Sequence, residues 1–261
     1  MSAEALAGVK ALAFDVFGTC VNWHKTTTEE LTTSLASKAA SPSLPAPLRE
    51  RAAALSPKDC AVLAEQWAIA YGKFTSSFVP GVTPWKDVDA HRRETLGELL
   101  EKRGLREAYS DEEIKELSFV WHRLEPWHDA AEGLRRLQAR FVTATISNGT
   151  QGNLRNLNKM VDDEFMVILS AADFKAYKPN PAVYEGVIAS LGVQPGEVAV
   201  VAAHLFDLEA AKKCGMKTVY VERPDEEAWE KERVEEAKGW VDVWVSVEEA
   251  GFLELARRLG C

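Results

Sequence analysis

The sequence is short of cysteine, of basic side chains and of long apolar runs, and each shortage removes a class of protein. Its four cysteines, Cys20, Cys60, Cys214 and Cys261, are scattered, with no CxxC pair and no histidine at metal-ligand spacing. A zinc site or a disulfide framework is therefore not expected. Lys and Arg number 31 against 40 Asp and Glu, a net charge of −9. That balance argues against nucleic acid as a partner, because affinity for a phosphate backbone comes from clustered Lys and Arg. A small anion remains open, since a pocket needs only a few local cations. No stretch approaches the ~20 apolar residues that span a bilayer. Met1 to Lys10 lacks the basic flank and apolar run of a signal peptide. The expectation is a soluble, cytoplasmic chain with no membrane partner.

What is present suits a folded enzyme-sized core: 46% of residues are hydrophobic, including 8 Trp and 10 Phe, more than a disordered chain carries. Val9 to Asp15 (VKALAFD) is a short apolar run without helical period, ending in a Phe17-Gly18-Thr19 turn, and reads as a buried strand. The same form recurs at Phe141–Ser147, Met166–Leu169, Glu197–Ala202, Lys217–Val221 and Val241–Val245. Helical patterns lie between these runs: Asp129–Arg140, Pro181–Leu191, Asp207–Cys214 and Asp225–Lys238. Alternation of this kind predicts an α/β fold, a Rossmann-like parallel sheet flanked by helices. The charges of Asp225–Lys238 are mixed in sign at i,i+4 spacing, which predicts a solvated helix face. One interval breaks the rhythm. Between Trp23 and Pro126 only amphipathic helical patterns occur, at Ser56–Phe74, Val88–Arg103 and Asp111–Leu124. The predicted organisation is a core of residues 1–22 plus 127–261 and an inserted helical domain of residues 23–126, placed to act as a cap.

In an open α/β sheet, ligands gather outside the carboxyl ends of the strands. The first strand ends there in Asp15, the second in Ser147-Asn148-Gly149-Thr150, and a later one in Ala202-Ala203-His204-Leu205-Phe206-Asp207. Lys178-Pro179-Asn180-Pro181 precedes a helix in the same layer. Singly, each has an ordinary structural use: Asp15 or Ser147-Asn148-Gly149 as a turn, Asp207 as a helix cap, Lys178 at the surface, His204 as a hydrogen-bonded structural residue. Together, at strand ends and in this order, they point to chemistry.

Asp15-Val16-Phe17-Gly18-Thr19, then Ser147-Asn148-Gly149, then Lys178-Pro179 with Tyr184, then a strand ending near Asp207 resemble the four motifs of the haloacid dehalogenase superfamily over nearly the whole chain. DVFGT, SNGT, AYKPNPAVY and AHLFDLEAA, with Pro126-Trp127 on return from the insert, are most similar to the type II (S)-2-haloacid dehalogenases. That resemblance implies a metal-independent hydrolase without a cofactor, acting on a small 2-haloacid or similar carboxylate. Asp15 would displace halide from the α-carbon and form an ester, which water then cleaves. Lys178 would keep Asp15 ionised, oriented by Tyr184. Asp207 would position or activate the water. Ser147 and Asn148, with the backbone at Thr19, would bind the substrate carboxylate. His204 would donate a hydrogen bond at the site. Phe17, Trp23 and the insert aromatics Trp67 and Phe74 would exclude water, although Trp67 and Phe74 serve equally well as plain core. Homodimerisation through the insert helices is known in the family.

The departures are as informative. Phosphatases of the superfamily carry a second Asp two residues after the nucleophile, where this chain has Phe17, and an acidic pair in the fourth motif, where Asp207 stands alone. A magnesium-dependent phosphatase is thus the second reading. Dehalogenases of this branch use a cap arginine, usually after a tryptophan. Ala68 follows Trp67 here, and His24 follows Trp23. Arg92, Arg93 and Arg155 are the candidate substitutes. A catalytically weakened relative that binds a small carboxylate or a protein partner is the third reading. Ala202 and His204 replace the serine and asparagine of the best-known members.

Overall fold

The computed structural model describes residues 2–261. The chain forms two compact units, one made of the described residues up to Asn22 together with Pro126–Cys261, the other of Trp23–Glu125. A helical turn α1 (Ser2–Ala5) precedes the first strand, β1 (Ala11–Phe14). The helical unit follows: α2 (Trp23–Ala40), α3 (Ala46–Ala53), α4 (Pro57–Ser77), α5 (Val88–Glu101) and α6 (Asp111–Ser118). The first unit then resumes with α7 (Ala130–Gln138), β2 (Val142–Thr145), α8 (Gln151–Met160), α9 (Pro181–Leu191), β3 (Val198–Ala202), α10 (Leu205–Lys213), β4 (Lys217–Val221), α11 (Lys231–Ala237), β5 (Val243–Val245) and α12 (Gly251–Leu259).

The five strands make one parallel sheet in the order β2-β1-β3-β4-β5, the α/β architecture expected from the alternating pattern. Leu12 of β1 pairs with Thr143 on one side and Ala199 on the other. The strand order therefore reverses direction at β1, which opens a crevice at its carboxyl end. Every residue of β1 and β3 is buried, because helices cover both faces of a parallel sheet; this is why these strands read as unbroken apolar runs. Beneath the sheet, Phe14 meets Phe165 and Phe252 edge-on, with ring centroids 5.7 and 5.2 Å apart. Gly133 of α7 lets α12 approach closely, since a Cβ there would lie 2.4 Å from that of Phe252.

Three expectations require correction. Met166–Leu169 is not a strand: it makes one isolated bridge, at Val167, with another at the following Ser170, and the hydroxyls of Thr143 and Thr145 take up the N–H groups of Met166 and Leu169 at 3.3 and 2.8 Å. These bonds stand beside a few backbone ones, Val167 N–H to Thr143 O at 3.1 Å and Thr145 N–H to Val167 O at 3.0 Å, which do not extend into a ladder. The helix expected over Asp111–Leu124 ends at Ser118 and continues as a tight 3-10 turn, Phe119–His122. Within Asp225–Lys238 only Lys231–Ala237 is helical. Asp225 adopts a left-handed conformation, φ 60°, and the chain that follows folds back so that Glu227 accepts the Leu205 N–H at 2.8 Å.

In the helical unit, α4 opens on a capping box between Ser56 and Asp59 with Pro57 at the first turn, and α6 on one between Ser110 and Glu113. Its interior centres on Leu63, Trp67, Leu96, Leu100 and Trp121. Sequence periodicity does not pick out α2, because its buried face is only Thr27, Leu31 and Leu35, and its threonines bond back to the preceding turn, Thr27 to Trp23 O at 2.6 Å and Thr32 to Thr28 O at 2.7 Å. Among the described residues, no helix is long and apolar enough to cross a membrane.

Candidate active site

The carboxyl end of β1 delivers Asp15 to the crevice, its N–H bonded to Val201 O at 2.9 Å. The turn after it requires glycine: Gly18 has φ 80°, and a Cβ there would fall 2.2 Å from the Glu226 carboxylate. Thr19, fully buried, donates its hydroxyl to Asp15 Oδ2 at 2.7 Å and accepts the Ala203 N–H at 2.9 Å, tying the turn to the end of β3. The Cys20 thiol donates to the Asp15 carbonyl at 3.1 Å.

Lys178 stands at the centre. Its backbone N–H donates to Asn148 Oδ1 at 2.8 Å. Its ammonium donates to Asp15 Oδ1 at 2.8 Å and to Asp207 Oδ2 at 2.5 Å. Asp207, in the first turn of α10, is fully buried and accepts the Tyr184 hydroxyl on its other oxygen at 2.5 Å. His204 turns Nδ1 to Asp15 Oδ2 at 3.0 Å and Nε2 to Glu226 Oε2 at 3.2 Å. Asp15, Thr19, Lys178, Tyr184, His204 and Asp207 thus form one connected network.

Its electrostatics separate the two aspartates. Burial would raise the Asp15 carboxyl, but Lys178 and His204 outweigh it and hold it well below the usual carboxylate range. Burial pushes Asp207 up, and although Lys178 opposes this, the Asp15 charge adds to it. Both acids share Lys178; Asp15 alone also has His204. Burial would lower the Lys178 ammonium, yet the two carboxylates raise it above its ordinary value. Burial likewise disfavours the charged imidazole of His204, and Asp15 and Glu226 together push its pKa up to about 10. Tyr184 is raised by burial and by Asp207, so it stays a neutral donor.

The remaining predicted residues divide between the two units. Ser147 is fully buried, its hydroxyl accepting the Gly149 N–H at 3.4 Å and its carbonyl the Ala171 N–H at 2.8 Å. Phe17 is buried beside Gly149, where a Cβ would stand 3.2 Å from the Phe17 ring. Trp23 belongs to the helical unit and stacks on Trp121 at 5.9 Å. Trp67 also lies in that unit, fully buried, edge-on to Trp121 at 5.5 Å, with its indole N–H donated to Arg92 O at 2.9 Å. It is placed as core rather than as a surface offered to substrate, so of its two readings the structural one fits. Of the candidate substitute cations, Arg92 is buried with its guanidinium 4.2 and 4.9 Å from the Trp121 and Tyr71 rings; Arg93 and Arg155 are exposed. His24 faces Glu65 at 3.6 Å.

Two features were missed. The charge pattern puts Glu226 on a solvated helix face, yet its side chain is only 7% exposed. It follows the carboxyl end of β4, so the strand-end rule that collected the other residues could have found it. The second is the buried pair of Asp129 and Arg223, bonded at 2.7 and 2.9 Å, with Arg223 Nε donating to Thr19 O at 3.0 Å. Among the described residues, no three His, Cys, Asp or Glu side chains converge on a place that could hold a metal ion.

A parallel sheet with a switch point at β1, an aspartate at that strand's end and a lysine bridging it to a second aspartate define a hydrolase core of a known kind. The chain belongs to the haloacid dehalogenase-like hydrolases, whose family profile matches residues 9–215. It is 36% identical over 114 residues to (S)-2-haloacid dehalogenase 4A of Burkholderia cepacia, covering 41% of this chain and 48% of that protein. To an (S)-2-haloacid dehalogenase of Xanthobacter autotrophicus it is 34% identical over 123 residues, covering 46% and 48%. The chain thus spans about half the length of the curated relatives it matches. Among solved structures, an L-2-haloacid dehalogenase superposes with a TM-score of 0.79 at 29% identity, over 97% of this chain and 99% of the other. A defluorinating L-2-haloacid dehalogenase superposes with a TM-score of 0.80 at 27% identity, over 97% and 96%.

Proposed function

We propose that this chain is a 2-haloacid dehalogenase that releases halide from short 2-haloalkanoates through an ester on Asp15. The observation that carries the reading is the Lys178 ammonium bonded to both Asp15 and Asp207, with Phe17 rather than an acid two residues after the nucleophile. Lys178 keeps Asp15 ionised, and Phe17 gives it an apolar neighbour suited to attack on carbon. Asn148, whose Oδ1 is fixed by the Lys178 N–H, turns its amide N–H groups to the substrate carboxylate, with Ser147 beside it. In the first step Asp15 bonds to the α-carbon and halide leaves with the electron pair. In the second, water adds to Asp15 Cγ, its proton passing to Asp207, and the Cγ–Oδ1 bond breaks. The 2-hydroxy acid leaves with that oxygen, protonated from Lys178, which recovers a proton from Asp207, and the second proton of the water leaves the new Asp15 carboxyl for solvent, restoring the carboxylate.

The same reading assigns the helical unit, inserted directly after the turn that carries Asp15, the role of a cap, and places the enzyme in the cytoplasm, with a homodimer as its assembly. A phosphatase would need an acid where Phe17 stands to protonate its leaving oxygen.

The test is halide release from chloroacetate and from each enantiomer of 2-chloropropionate. Release from chloroacetate and the (S)-enantiomer, abolished in Asp15→Asn, supports the reading. No halide from any of the three acids contradicts it.

A further inference from the structure

Asp15 is held unevenly. Its Oδ1 accepts one N–H, from Lys178 at 2.8 Å, whereas Oδ2 accepts two donors, Thr19 Oγ1 at 2.7 Å and His204 Nδ1 at 3.0 Å. An oxygen with one donor keeps a lone pair for attack, so Oδ1 becomes the bridging oxygen of the ester and Oδ2 its carbonyl. When water adds to Cγ, negative charge develops on Oδ2, where Thr19 and His204 are already aimed. Donors fixed in advance on the atom that becomes negative are what an oxyanion site requires.

The form of His204 follows from geometry. Both ring nitrogens face carboxylate oxygens, Asp15 at 3.0 Å and Glu226 at 3.2 Å. Carboxylates only accept, so both nitrogens carry hydrogen and the ring is an imidazolium whichever way it is turned. Glu226 is seated for this purpose: its carboxylate fills the space that a side chain at position 18 would occupy.

We propose that Glu226 is a positioning residue that keeps His204 doubly protonated, so that the ester carbonyl on Asp15 faces a cation while water cleaves it. This rests on the dehalogenase reading above and concerns its second step. Asparagine at this place, as the resemblance implies for the best-known members, would donate without charge. The charged groups bonded to His204 are Asp15 from the end of β1 and Glu226 from the loop after β4; beyond them Lys178 holds the other oxygen of Asp15 and is shared with Asp207 of α10, and Glu227 holds the Leu205 N–H. Asp15 and Glu226 together favour the charged ring against its burial.

The test compares wild type with Glu226→Gln on chloroacetate by rapid quench, reading halide and the intact mass of the protein. The expected result is a first turnover of halide near the wild-type rate, then a steady-state kcat lower by about ten- to a hundredfold with ester accumulating on Asp15. The alkaline limb of kcat should lie at lower pH in Glu226→Gln than in wild type, and Glu226→Asp should restore part of the rate. A Glu226→Gln enzyme with the wild-type kcat and pH profile overturns the proposal, as does one in which halide release slows equally and no ester builds up. His204→Asn provides the second route. It should lose the alkaline limb, and adding Glu226→Gln to it should change nothing further; a retained limb or a further loss overturns the proposal independently. Wild type that yields neither halide nor ester would instead contradict the dehalogenase reading itself.

Discussion

Two buried ionic clusters meet at Thr19, one through its carbonyl and one through its hydroxyl, and they are built differently. Asp129 and Arg223 form a fork-to-fork pair at 2.7 and 2.9 Å, one charge against one. Phe252 N–H completes Asp129 at 2.6 Å, and the Arg223 guanidinium lies 5.3 and 4.9 Å from the Trp127 and Phe252 rings. Both Asp129 oxygens and three of the five guanidinium N–H groups are engaged, so the pair ties the start of α7, the start of α12 and the Thr19 turn together. The cluster around Lys178 sets three acids, Asp15, Asp207 and Glu226, against two cations, Lys178 and His204. Charge is shared there rather than matched, and one oxygen of Asp15 keeps capacity to react. A closed pair gives rigidity. A shared cation gives two carboxylates with pKa values pushed apart, the condition for distinct roles in one site.

The largest expected break in this contrast is Lys178→Met. Without the shared cation, halide release should fall by about a thousandfold or more, the scale of losing a main electrostatic support. Any residual activity should show its acid limb at higher pH, because Asp15 is no longer held low. Initial rates across pH measure both, and a variant retaining a tenth of wild-type activity would remove Lys178 from the centre of the account. Next comes Arg223→Leu, which leaves Asp129 buried and unpaired and should cost about 3–5 kcal/mol in urea unfolding. Replacing both partners with leucine should recover part of that loss, and equal losses in the single and double variants would contradict the closed-pair description. The smallest effect is a pH dependence of stability. The folded pKa of His204 is raised from 6.5 to about 10, so its stabilising contribution is complete below about pH 6.5 and is lost as pH rises toward 10. Wild type should therefore lose stability relative to His204→Asn across that window; parallel urea midpoints would show that the ring is not held charged.

Much of this arrangement is legible in the sequence. Asp15, Asp207 and His204 follow strands whose burial on both faces leaves an unmistakable apolar run, Lys178 precedes a helix in the same layer, and Tyr184 enters by motif resemblance. Glu226 was not legible because a stretch of alternating charge predicts a solvated helix, and only the left-handed turn at Asp225 redirects it inward. Arg223 and Asp129 lie 94 residues apart in sequence, and nothing local in either marks a partner so distant. Helix α2 escaped because its threonines blur the apolar stripe. Trp67 illustrates the reverse: an aromatic at helical spacing is ambiguous until its neighbours are known, and here they are Arg92 and Trp121 of the helical unit.

The claim beneath all of this is that the unevenly charged cluster makes Asp15 a nucleophile toward carbon. Intact-protein mass after millisecond mixing with chloroacetate and acid quench tests it most directly. The account predicts a transient carboxymethyl adduct that maps to Asp15, decays as glycolate appears, and is absent in Asp15→Asn. Halide release with no adduct on Asp15 at any time point, under conditions where Glu226→Gln also shows none, would contradict it.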